Sequence, residues 1–393
     1  MISYAAVLFV AVMFCLPGCG VETAKNPRPE VDLVQIERER VLSAADSILG
    51  APVVTVTDTV SPRSAGGRHD YYSEGDYWWP DPDNPEGPYI RRDGKSNPDN
   101  FLAHRRAMRR LSQMVPALVA AYKVTGEQQY GEEATRHLQA WFIDEETKMN
   151  PNLQYSQAIE GRNEGRSIGI IDTIHLVEVA QAIKVLGEAG ALPEETAAGL
   201  HEWFSAYLEW LTTSDFGLEE KTHGNNHSTA WALQASAFAR MVGDETVLEE
   251  CRRLYKETLL PDQMARDGSF PDELERTKPY GYSLFNLDVM TSLVHIISRP
   301  GHELWIYETP DGKSIDDALA FMYPYIKDKS SWPYGEDVMY YEQWPVRHPA
   351  LLFGGLALDK PEYIELWKTL DPDPSTPEVV RNYPIRQPLL WVD

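Results

Sequence analysis

Cysteine is nearly absent: 393 residues carry three, Cys15, Cys19 and Cys251. No disulfide framework or Cys-rich zinc site can be built from so few, and Cys251, in a helical pattern after two glutamates, reads as a structural thiol. Positive charge is also scarce. Thirty-six Lys and Arg face 60 Asp and Glu, a formal net charge of −24. That balance excludes nucleic acid as a partner. Strand-like runs are few, and "PVVTVT" at 52–57 is the best of them.

The one strongly apolar stretch is "MISYAAVLFVAVMFCLPGCG" at the start. It is short for a transmembrane helix and ends in Pro and Gly. A small residue before Cys19 matches a bacterial lipoprotein cleavage box, although no Lys or Arg precedes the apolar run. The expectation is a signal peptide over 1–18, a tether over 19–30, and one domain over 31–393. A lipid on Cys19 would be the only membrane attachment, placing a secreted protein in the periplasm or on the outer membrane.

What is present is helical periodicity. Apolar residues recur at three- and four-residue spacing near 32–49, 101–125, 129–142, 172–189, 193–213, 226–241, 244–258, 283–298, 314–327 and 360–370. Leu111, Val115, Leu118 and Val119 are one such stripe. Many helices, short connections and a few long aromatic loops predict an all-α array of helical hairpins. The cations that exist are clustered: Arg91, Arg92, Lys95, Arg105, Arg106, Arg109 and Arg110 in one stretch, with Arg162 and Arg166 around a Gly-rich turn. A basic groove can exist on an acidic protein because charges more than about 10 Å away are largely screened.

Three loops carry the chemistry. In "GGRHDYYSEGDYWWPDPDNPEGPYIRRDG" six aromatics, among them Tyr77, Trp78 and Trp79, stand among Gly, Pro and Asp. Such rings either pin the loop to the core or stack on sugars. The loop "MNPNLQYSQAIEGRNEGRSIGIIDT" offers Asn152, Gln157, Asn163 and Arg166, which can contact a ligand or bond one another across a turn. The third, "DGSFPDELERTKPYGYSLFNLD", holds Arg276, Tyr280 and Tyr282. Before the apolar run at 226–241 stands "HGNNHSTAW", in which Asn225 or Asn226 can cap a helix. With Asn226 and His227 these loops assemble an amide, an imidazole, a guanidinium and a phenol. That set suits β-elimination from a uronic acid. The amide and guanidinium hold the carboxylate as charge builds on it, and a phenol takes the C5 proton and returns one to the C4 oxygen.

"NNHSTAW" and "ELERTKPYGYSLFNL", with "YYSEGDYWWPDP", "YIRRDG", "WFIDEETKMNPNLQYSQ" and "GRSIGIIDT", resemble the alginate lyase family of polysaccharide lyases over roughly residues 65–300. The resemblance implies an incomplete α/α toroid of six or seven helical hairpins, with long aromatic loops lining a cleft. It implies catalytic roles for Asn226, His227, Arg276 and Tyr282, with Tyr77, Trp78, Trp79, Arg91, Asn152, Gln157, Arg166, Asn225 and Tyr280 binding substrate. The substrate would be an anionic polysaccharide, alginate or glucuronan, cleaved without a cofactor. Both Tyr280 and Tyr282 follow Arg276; "YSLFNL" matches the family's tyrosine and favours Tyr282. His223 and His227 stand four apart, but Gly224 breaks the register and no HExxH pattern accompanies them. Other readings stay open: an inverting glycosidase using Asp70 and Glu273, a non-catalytic carbohydrate-binding lipoprotein, and a structural lipoprotein.

Overall fold

The computed structural model describes residues 31–392 and Met1. The expected signal peptide and tether, residues 2–30, lie outside the described residues. Among those described, no helix is long and apolar enough to cross a membrane.

The ten predicted stripes become helices, and others join them unpredicted: α1 (Leu33–Ile48), α2 (Ala103–Thr125), α3 (Gln128–Phe142), α4 (Leu176–Glu188), α5 (Glu194–Thr213), α6 (Asp215–Lys221), α7 (Asn226–Val242), α8 (Glu245–Leu254), α9 (Leu260–Gln263), α10 (Pro271–Leu274), α11 (Pro279–Ile297), α12 (Ile315–Lys327), α13 (Pro349–Ala357), α14 (Pro361–Thr369) and α15 (Pro377–Arg381). The unpredicted ones are α6, α9, α10, α13 and α15. Their ends follow local chemistry. Gly126 and Gly243 stop α2 and α7 in left-handed conformations, at φ 73° and 79°, which cost glycine nothing. Asp244 then caps α8 by accepting from the amides of Thr246 and Val247. A two-residue connection thus turns α7 straight into α8.

Helices α2, α4, α7, α11 and α13 pack side by side in that order, and α3, α5, α8, α12 and α14 lie outside them. This is an incomplete α/α toroid. Helix α11 is covered on nearly every side, its side chains buried without a break from Ser283 to Val294. The sixth position of the ring is taken by α1 and the C-terminal segment. Arg40 of α1 donates to the Arg386 carbonyl and to Gln387, and Arg347, just before α13, reaches Glu37. Residues 385–391 thread the middle of the ring. The buried Glu178 of α4 accepts from the amides of Arg386 and Gln387, while His295 of α11 donates to the Trp391 carbonyl.

Two expectations are corrected. Residues 52–57 form no strand: Val56–Asp58 is a 3-10 turn in which Thr55 and Asp58 cap each other reciprocally, and these local bonds take the donors a strand partner would need. The helix expected from 172 begins at 176, after a 3-10 stretch over Ser167–His175. The real strands sit inside the long loops. β1 (Tyr72–Glu74) pairs in parallel with β4 (Tyr155–Ala158), and β2 (Trp78–Trp79) pairs antiparallel with β3 (Ile90–Arg91). The first pairing joins the aromatic loop to the amide-rich loop, and both reach the same end of the ring.

Candidate active site

At that end a cleft of about 380 Å³ opens. Its walls come from the first two turns, or the approach, of four inner helices: Arg105 and Arg109 on α2, His175 just before α4, Asn226 and His227 on α7, and Tyr282 and Phe285 on α11. Helix N-termini carry unpaired amides and partial positive charge. Arg91, Arg166, Arg276 and Arg381 add guanidiniums. The strongly acidic chain therefore has a cleft suited to an anion.

"HGNNHSTAW" folds as a division of labour. Asn225 is the cap, its Oδ1 accepting from the His227 amide at 3.1 Å. Asn226 is freed from capping. Its backbone and side-chain N–H groups donate to the two oxygens of the buried Glu273, at 3.0 and 2.7 Å, and burial raises the Glu273 carboxyl above its ordinary range. His227 meets the fully buried Glu220 of α6, Nδ1 to Oε1, at 2.7 Å. In the neutral ring, with that carboxylate accepting, the proton sits on Nδ1 and Nε2 keeps its lone pair. The rings of His223 and His227 lie 4.9 Å apart, and burial followed by the neighbouring His227 lowers the His223 pKa. Among the described residues no group of three or more His, Cys, Asp or Glu side chains is placed to hold a metal ion.

Tyr282 opens α11. Its Oη lies 2.7 Å from that of Tyr77 and 3.3 Å from Nη2 of Arg276, which donates to it. The Arg276 guanidinium also lies 4.4 Å from the centre of the Tyr282 ring. Asp93 holds Arg276 from behind at 3.1 Å. Burial works to raise the Asp93 carboxyl, but the bonds from Arg276, Thr277 and Arg91 outweigh it and bring it down to about 2. Burial drives the Tyr282 phenol well above 10, with Tyr77 adding to the rise and Arg276 and Arg381 opposing it.

Next to Tyr77 stands an ion-pair frame. Arg105 is buried between Asp172 at 2.9 Å and Asp76 at 2.5 Å, and Arg381 joins Asp76 and Glu378. Asp172 also accepts from Ser73 at 2.5 Å and from Gln157. Gln157 has φ 49°, a left-handed conformation that costs a non-glycine residue energy and clusters at functional sites. It is held by its amide bond to Ser73 and by two bonds from Arg166. Arg166 has no carboxylate partner among the described residues. Burial, then Arg105 and Arg91, lower it to about 10, and its guanidinium lies 5.8 Å from the Trp78 ring centre.

Ten of the thirteen expected site residues therefore line one cleft: Tyr77, Trp78, Arg91, Gln157, Arg166, Asn225, Asn226, His227, Arg276 and Tyr282. Three do not. Trp79 donates to the Lys95 carbonyl and carries Arg92 against its ring. Asn152 bonds the Gln154 amide within a turn. Tyr280 is fully buried, donating to the Tyr325 carbonyl at 3.0 Å between Trp332 and Tyr341. Residues two apart on a helix point to different sides, so α11 sends Tyr282 to the cleft and Tyr280 to the core. Asp70 is outside the cleft too, accepting from Gly67 and Asn150, and both oxygens of Glu273 are engaged by Asn226; the pair offers no glycosidase arrangement.

Glu220, Asp76, Asp172, His175 and Arg381 were not singled out as site residues. Glu220 lies in "LEEK", which reads as a solvated charge run. Its one signal is the spacing of seven to His227 across a tight turn.

The family model for alginate lyases matches residues 55–332. The chain is similar to the crystal structure of an alginate lyase from Bacteroides ovatus, with 32% identity over 91% of this chain and 93% of that one, at a TM-score of 0.79. A tetrasaccharide complex of a histidine-to-alanine variant of alginate lyase A1-III, from Sphingomonas species A1, is alike in fold, with 16% identity over 90% of this chain and 94% of that one at a TM-score of 0.57. No curated protein sequence matches the chain.

Proposed function

The chain belongs to the alginate lyase family of polysaccharide lyases, and from that premise we propose that it cleaves β-1,4-linked mannuronate or glucuronate polymers by β-elimination. The observation that carries the reading is the meeting of the Tyr282 hydroxyl with Arg276, on the cleft wall that also holds Asn226 and His227. The C6 carboxylate of the sugar that loses its C5 proton lies against Arg276, the second N–H of the Asn226 amide, and His227. Charge that develops there is met by donors already in position. The Tyr282 oxygen takes the C5 proton. The electron pair of that C–H bond becomes the C4=C5 double bond, the C4–O bond breaks, and the departing oxygen receives its proton from Tyr282. Mannuronate and glucuronate present the C5 proton and the C4 oxygen on one side, so a single phenol serves both steps. In guluronate they lie on opposite sides, and Nε2 of His227 would have to take the proton.

A buried phenol is a poor base at neutral pH. Arg276 and, once Tyr282 has lost its proton, the still-protonated Tyr77 hydroxyl both donate to the phenolate when substrate arrives. Trp78, Arg91, Gln157 and Arg166 then hold neighbouring sugars. A lipid on Cys19 would tether the domain at a membrane surface, which labelling with a radioactive fatty acid checks.

The test is to incubate the protein with polymannuronate, polyguluronate, glucuronan and neutral glucans, and to follow the ultraviolet absorbance of the new double bond. Absorbance should rise with the first and third polymers, and Tyr282→Phe should abolish the rise while leaving polymer binding intact. Saturated products, or near-normal turnover by Tyr282→Phe, overturn the assignment. A strict preference for polyguluronate, with complete loss in His227→Gln, would make the histidine the base.

A further inference from the structure

The match to the family ends at residue 332, yet α15, far beyond it, puts Arg381 into the cleft wall. Nη2 of Arg381 donates to the Tyr77 hydroxyl at 3.3 Å. Arg276 donates to the Tyr282 hydroxyl at the same 3.3 Å, and the two hydroxyls are 2.7 Å apart. Four groups therefore stand in a row: guanidinium, phenol, phenol, guanidinium.

Two phenols in contact make one hydrogen bond between them, using one of their two protons. Each oxygen already accepts an N–H from its own arginine. The second phenolic proton has no acceptor within the row. When it leaves, the pair keeps one shared proton and one negative charge, and each oxygen retains a guanidinium donor. Hydrogen bonds to the charged form favour that form.

We propose that Arg381 is a positioning residue for the base: by donating to Tyr77 it stabilises the singly deprotonated Tyr77–Tyr282 pair, so that the Tyr282 oxygen can accept the C5 proton. This rests on the lyase reading above. Carboxylates face most of the cations around the pair, and Arg105 and Arg109 also act on Asp76. Arg381 is held by Asp76 and Glu378. Lys278 bonds Glu378 and lies 5.2 Å from the Tyr77 ring centre. Asp93 holds Arg276, and Glu273 and His227 stand behind and beside Asn226. The direction of the Arg381 donor, more than net charge, distinguishes it from the other arginines of the cleft.

The test uses the full chain and two readouts. One is kcat/KM on polymannuronate against pH. The other is the tyrosinate absorbance titration, with the curve of the Tyr282→Phe protein subtracted. In Arg381→Gln the rising limb of the rate profile should move up by roughly one pH unit. At neutral pH that is about a tenfold loss, falling on kcat with KM changed less than about threefold. Arg381→Lys, which keeps the charge but not the fork, should recover part of the shift. Glu378→Gln removes a carboxylate that competes for Arg381 and should move the limb the other way. An Arg381→Gln profile that is unmoved, or lowered by one factor at every pH, overturns the proposal. Should Arg381→Gln fail to fold, Glu378→Gln decides, since an unmoved limb there is equally fatal. Wild-type protein that makes no unsaturated ends from any polyuronate removes the lyase reading instead. The tyrosinate titration would still report whether Arg381 governs the phenol pair.

Discussion

Replacing Glu220 by Gln tests how His227 is held. The Glu220 side chain is completely buried, with Oε1 at 2.7 Å from Nδ1 of His227 and Oε2 without a partner. A glutamine of the same shape has two choices. Its carbonyl can accept from Nδ1, leaving a buried NH2 group unpaired. Or its NH2 can donate to Nδ1, driving the ring proton onto Nε2 and turning the cleft-facing nitrogen from acceptor to donor. Either outcome forfeits a charge-assisted bond of about 1.5–3 kcal/mol, which corresponds to a loss of roughly 10- to 150-fold in kcat/KM. Initial rates of double-bond formation on polymannuronate read it. The loss should fall on kcat, and the melting temperature should hold, since the change removes a buried carboxylate with an unsatisfied oxygen. The same substitution in a His227→Gln background should cost almost nothing further, because the two residues act as one unit. Full activity in Glu220→Gln, or losses that add, would refute the coupling. A loss beyond about ten-thousandfold would mean that the histidine itself removes the proton.

Three further outcomes are expected. Tyr280→Phe should leave turnover near normal but lower stability by about 1–2 kcal/mol, because the Tyr325 carbonyl loses its donor in the core; denaturant unfolding measures this, and a Tyr282-like loss of activity would reverse the assignment of the two tyrosines. Arg276→Ala should lower kcat/KM at least about a hundredfold, in the range of a lost oxyanion donor, and an enzyme at full rate on uronate polymers would end that role. Asp337, bonded to the amides of Tyr280 and Gly281 at the head of α11, is raised by burial to about 6. A carboxyl raised on folding binds its proton more tightly in the native state, so its stabilising effect is full below about pH 4 and is lost as pH rises through about 6. Wild-type unfolding free energy should fall by roughly 2–3 kcal/mol across that window, Asp337→Asn should remove that slope, and an unchanged slope in the variant would discard the account.

Periodicity alone located the principal helices, because inner and outer helices of a toroid each show an apolar face to a neighbour and α-helical spacing records it. The stripe Leu111, Val115, Leu118 and Val119 became the buried face of α2. The same signal failed where helices are short or uniformly apolar. Helix α13, "PALLFGGLA", carries no contrast between faces, and α15 is a single turn. The polar constellation of Asn226, His227, Arg276 and Tyr282 was legible as chemistry, since a run of amide and imidazole before an apolar helix is costly to bury without partners. The choice between Tyr280 and Tyr282 also followed once the start of α11 was known, for helix geometry sends the two rings apart.

What the chain order could not disclose is who stands behind each functional group. Glu220, Glu273, Asp93, Asp76 and Arg381 reach the site from separate elements, some of them hundreds of residues away from their partners, as Arg381 is from Tyr77. Each is a charged residue in a polar run, indistinguishable by pattern from a solvated one. Helical periodicity and motif chemistry are local, so the sequence determined the helices, the aromatic loops and most of the polar side chains that meet in the cleft. Closing the ring is not local. Only the packing of α2, α4, α7 and α11 side by side brought four helix starts to one end, removed water from Glu220 and Glu273, and turned surface-like charges into the buried partners that orient the site. Burial is a property of the assembled ring, and it is burial that makes those charges act on their neighbours.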